Sequence, residues 1–85
     1  MLAVYGYRKA PWGTRGCLSE DGVHWDVANE FTIREGRAAD PAFPQYWHIA
    51  YPTVTQCGDG TIVCAYHEYG GDGPIQQISV SRFRL

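Results

Sequence analysis

Lysine is almost missing from this chain. Lys9 is the only one among 85 residues, and the six arginines are dispersed rather than clustered. Nucleic-acid footprints need concentrated Lys and Arg, so a net charge of −2 and a pI near 5.8 exclude that class of partner. Long apolar runs are lacking as well. None approaches the ~18 residues of a membrane-crossing helix, and no basic-plus-apolar leader opens the chain. A cytoplasmic protein with no membrane contact is the expectation.

Cysteine is sparse and unpatterned. Cys17, Cys57 and Cys64 form an odd set without CxxC spacing, whereas a disulfide framework is normally even and dense. Small buried thiols in a reducing compartment fit better. His24, His48 and His67 share no ligand spacing, so no metal or cofactor is expected. There is no phosphate-cradling glycine loop, dinucleotide fingerprint or G-x-S-x-G.

Helical periodicity is also absent. Gly, Pro, β-branched and aromatic residues are spread throughout, the composition of strands and turns. Strands are expected at Leu2–Tyr7, Thr14–Leu18, Trp25–Arg34 (clearest at Phe31-Thr32-Ile33), Tyr51–Gln56, Thr61–Tyr69 and Ile75–Leu85. Turns are expected at Lys9–Gly13, at Cys57-Gly58-Asp59-Gly60 with its Asp-Gly signal, and at the glycine-rich Gly70–Pro74. Glu35–Ile49 carries Pro41 and Pro44 around Phe43, then Tyr46-Trp47-His48. It reads as an irregular loop of a length that often carries function. The fold class is therefore all-β and antiparallel, one domain over 1–85, with sheet units at about 1–35 and 50–85 joined by the loop 35–49. A chain this short buries only roughly 60–65% of its unfolded surface.

The densest local signal is Ser19-Glu20-Asp21-Gly22-Val23-His24-Trp25. Ser and Asp oxygens two residues apart can fasten a turn through nearby backbone groups. Gly22 suits a backbone position that a Cβ would hinder. Trp25 is expected to bury its ring where the next strand begins.

This segment resembles an Asp box, the S-x-D-(x)-G-x-x-W turn of the sialidase-like (BNR/Asp-box repeat) β-propeller superfamily. Three further segments are similar to that family: Tyr5–Lys9 with Gly13–Arg15; Tyr51–Gln56 followed by Asp59–Val63; and Cys64–Glu68 with the closing Ile78–Leu85. The resemblance covers nearly the whole chain and implies blade-like antiparallel sheets, about one and a half to two blades from the C-terminal portion of a propeller. Such a piece leaves sheet edges open. Beginning at Met1 and ending on a family-like closing strand, the chain is expected to be completed by self-association as a homo-oligomer.

The family's sialidases hold a substrate carboxylate with three arginines and use a Tyr nucleophile, a Glu that activates it and an Asp acid. The resemblance places Tyr51 at the nucleophile position and Glu68 near the rim of the site. Arg8 or Arg15 matches the late arginine. Pro52 after Tyr51 is the pattern of non-sialidase relatives, and the remaining arginines and the acid have no counterpart, so the catalytic set is incomplete. The expectation is a non-catalytic binding or structural module for a glycan or small anionic ligand, with Arg8, Arg15, Tyr51, Trp12 and Trp47 as ligand-binding candidates. The alternatives are a glycoside hydrolase truncated here or completed between subunits, and a protein–protein interaction module. Ser19, Asp21, Gly22 and Trp25 are expected to be the structural residues of the box. The turn aromatics Trp12, Phe43, Tyr46, Trp47 and Tyr51 either stack on sugars or form a protein interface, or else cap a small core.

Overall fold

The computed structural model describes residues 1–7, 9, 12–36, 49–70 and 75–85. Six strands follow in order: β1 (Leu2–Tyr7), β2 (Gly13–Leu18), β3 (Phe31–Glu35), β4 (Ile49–Gln56), β5 (Ile62–Gly70) and β6 (Ile75–Phe83). They form two antiparallel three-stranded sheets, β1-β2-β3 and β4-β5-β6. The expected all-β antiparallel class is thus observed. Each sheet has three described strands, where a propeller blade typically has four.

The strands arise where β-branched and aromatic residues are concentrated. In β5, Ile62, Cys64, Tyr66 and Glu68 are buried while Val63, Ala65 and His67 are less so, the period-two pattern of a strand with one covered face. The covered faces of the two sheets meet. Val4 and Ile33 of the first sheet, with Val54 and Phe83 of the second, pack around Cys64 and Tyr66. The Tyr66 hydroxyl stays satisfied by a 2.8 Å hydrogen bond with Ser81 Oγ. Gly16 makes room for Phe31, which meets Phe83 edge-on at 6.0 Å between ring centroids.

Two bulges shape the sheets. Thr14 pairs with Arg34 but Arg15 pairs with Thr32, which leaves Ile33 as the extra residue. That extra residue lets Ile33 join the core and Arg34 reach Glu68 on the other sheet. In the second sheet Ala50 pairs with His67 and Thr53 with Ala65, so Tyr51 and Pro52 together oppose Tyr66. Tyr51 sits there at φ +55°, a left-handed conformation that costs a non-glycine residue roughly 1–2 kcal/mol. Pro52 is tolerated because β4 is an edge strand.

The Asp-Gly turn after β4 forms as expected. Cys57 N–H donates to Thr61 O at 2.8 Å, Thr61 N–H donates to Asp59 Oδ1 at 2.9 Å, and Gly60 adopts φ +91°. Two expectations need correction. The third strand begins at Phe31 rather than Trp25, because Val27–Asn29 form a 3-10 turn instead. Trp25 does not bury its ring at a strand start; it is 37% exposed. The loop residues Phe43, Tyr46 and Trp47, and Arg8, lie outside the described residues.

Candidate functional site

Four groups of chemically capable side chains are described. The first is the Ser19–Trp25 turn. Asp21 Oδ1 accepts from the N–H groups of Val23 and His24, each at 2.8 Å, and from Ser19 Oγ at 3.1 Å. Ser19 Oγ in turn accepts from Gly22 N–H at 2.8 Å. His24 Nδ1 lies 2.7 Å from Asp21 Oδ2. The His24 side chain foremost, then the backbone donors of His24 and Val23, hold the Asp21 carboxyl well below the usual carboxylate range. Gly22 takes φ +77°, as a turn of this kind requires. Every oxygen named here is spent on closing the turn.

The second group lies on the outer face of the first sheet. Tyr5 donates its hydroxyl to Glu30 Oε2, and Arg15 Nη1 donates to Glu30 Oε1 at 2.6 Å. The Arg15 guanidinium also lies 3.5 Å from the centre of the Tyr7 ring. Glu30 directly precedes β3, so this knot ties the end of the 3-10 turn back onto the β1–β2 hairpin. Burial, then the Glu30 hydrogen bond, push the Tyr5 phenol above its ordinary pKa. Its hydrogen bonds to Tyr5 and Arg15 hold Glu30 down. Arg15, a candidate anion ligand, is therefore committed to an internal partner.

The third group centres on Glu68, which is buried between the sheets. Ser79 Oγ donates to its Oε1 at 2.7 Å, Gln77 Nε2 at 3.3 Å, and Arg34 Nε approaches Oε2 at 3.3 Å. A carboxylate buried with this many donors pins one sheet to the other. Sequence reasoning missed Arg34 as its partner.

The fourth group is the outer face of the second sheet. Tyr51 lays its ring on the His67 imidazole, 5.6 Å between centroids and 15° from parallel, and stays 77% exposed. His67 alternates with the buried Tyr66 and Glu68 along β5, so Tyr51 and Glu68 stand on opposite faces of the sheet. The nucleophile-and-carboxylate pair suggested by the resemblance is not brought together. Ile78 pairs with His67 and Val80 with Ala65, and these two side chains extend the same face, 74% and 53% exposed.

Trp12 is half-buried at φ +59°. Its N–H donates to Lys9 O at 2.5 Å and its carbonyl accepts from Gly36 N–H at 2.8 Å. Arg8 and Trp47, the remaining ligand-binding candidates, lie outside the described residues. Among the described residues no group of three or more His, Cys, Asp or Glu converges on a metal-sized site, and no helix is long and apolar enough to cross a membrane.

No protein-family model matches the chain, and no curated protein or solved structure matches it either.

Proposed function

We propose that this chain is a non-catalytic binding module, with its binding face on the outer side of the second sheet around Tyr51. One observation carries this reading. A large aromatic ring is held in a strained backbone conformation, backed by His67 on one face and open to solvent on the other. Strain of this kind persists where the surroundings impose it, and it clusters at binding sites. An open, flat, supported ring beside Thr53 offers the apolar-plus-polar surface that a sugar ring stacks on. The described arginine nearest in role, Arg15, is already paired with Glu30, which favours a neutral glycan face over an anionic ligand.

The closed hydrogen-bond set of Ser19–His24 and the two antiparallel meanders support a descent from sialidase-type propellers. The exposed Ile78 and Val80 favour self-association of the module.

Isothermal titration against a panel of neutral and sialylated oligosaccharides tests the reading. Losing a stacked ring costs roughly 0.5–1.5 kcal/mol, so Tyr51→Ala should weaken the best ligand about two- to tenfold. Undiminished binding by Tyr51→Ala would contradict it.

A further inference from the structure

The two sheets present four terminal strands, and three of them are blunted. β4 carries the Tyr51 bulge and Pro52. β3 is only five residues long and is bulged at Ile33. β1 packs on β4 of the other sheet. β6 has none of these protections. It runs nine residues, Ile75–Phe83, and pairs with β5 in unbroken register from Ile75 to Phe83. Its sequence holds no proline, no lysine and no acid. Among the described residues no strand pairs with its far edge. A long, regular, unprotected edge is a template for another strand. Beside its C-terminal part an open groove of about 490 Å³ separates it from β3, lined by Phe31, Ile33, Phe83 and Arg84.

We propose that the occupant of this edge is the β6 strand of a second copy, paired antiparallel about a two-fold axis at Ser79. The side chains choose both partner and register. In an antiparallel pair directly opposed residues point to the same face. With Ser79 opposite Ser79, Ile78 of each copy faces Val80 of the other, and Gln77 faces Ser81. Ile78 and Val80, the exposed apolar side chains among the described residues of β6, then cover one another. Moving the axis to Val80 sets Ile78 against Arg82, and moving it to Ile78 sets Val80 against Gln76. A slip by one residue turns the apolar pair away from its match. Pairing through one edge in this way is isologous and closes at a dimer. The result is a continuous six-strand sheet whose outer face carries Tyr51 from both copies. The inference rests on the β6 edge and stands whether or not Tyr51 binds a sugar.

Size-exclusion chromatography with light scattering reads the assembly on the full chain. The expected mass is twice the 9.5 kDa of one copy. Ile78→Lys with Val80→Lys, both at exposed positions, should give a monomer whose circular dichroism spectrum is unchanged. Ser79→Cys, in a Cys57→Ser background that removes the exposed native thiol, should oxidise to a covalent dimer, because directly opposed Cα atoms fall within disulfide reach. Val80→Cys in that background should cross-link far less. A monomeric native chain would overturn the proposal. So would a dimer that survives the lysine pair, or one in which Ser79→Cys fails to cross-link.

Discussion

Tyr51 stacks on His67 with ring centroids 5.6 Å apart, and it does so from a backbone at φ +55°. The strain and the stack belong together. The β4 bulge forces the conformation, and the conformation lays the ring over its cross-strand neighbour instead of pointing it along the strand.

Replacing Tyr51 separates the two effects. Tyr51→Ala keeps the left-handed strain and loses the stack. Tyr51→Gly loses both. Urea denaturation should find the glycine variant more stable than the alanine variant by about 1 kcal/mol. Equal stabilities would mean that position 51 is unstrained.

Gly16→Ala tests the notch under Phe31. A Cβ there would meet the Phe31 ring at 2.5 Å. The ring must shift away from Phe83, and overpacking of this kind costs roughly 1–3 kcal/mol. Denaturant midpoints should fall accordingly, and Gly16→Ala with Phe31→Leu should recover part of the loss.

Stability should fall in acid. Asp21 and Glu30 both have carboxyl groups held below their ordinary values by hydrogen bonds. Such groups stabilise the fold above their unfolded pKa of about 4, and that contribution is lost as the pH drops below it. Melting temperatures should be flat between roughly pH 5 and pH 7 and decline below about pH 4. Asp21→Asn should be less stable than the native chain near neutrality and show a shallower acid decline.

Tyr5 should make the fold sensitive to alkali. Its phenol is pushed up by burial and by Glu30, so the neutral form is the one the fold favours. The stabilisation is complete below the unfolded tyrosine value of about 10 and is lost as the pH rises above it. Melting temperatures should therefore decline above about pH 10, and Tyr5→Phe should flatten that decline.

Much of the fold was legible in the residues. The strand expected at Thr61–Tyr69 and the Asp59-Gly60 signal placed β5 and its hairpin, and the Ser19–Gly22 spacing placed a self-fastened turn. Trp25 and Val27 misled, because their strand propensity was overridden when Glu30 anchored the segment to Tyr5 and Arg15. The Arg34–Glu68 ion pair spans 34 positions, and no local pattern announces it. The strain at Tyr51 was equally hidden. A tyrosine in a β-rich stretch reads as an ordinary strand residue, and only pairing with β5 exposes the bulge. Of the site candidates, Tyr51 emerged as an open surface, whereas Arg15 and Glu68 proved to be internal ties.

The central claim is that the outer face around Tyr51 is where this chain binds. Two-dimensional NMR during an oligosaccharide titration tests it most directly. Shifts concentrated on Tyr51, Thr53 and His67, and absent in Tyr51→Ala, are the predicted result. Shifts that map to the Ser19–Asp26 turn or the Arg15–Glu30 knot, or no saturable shifts across the panel, would contradict it.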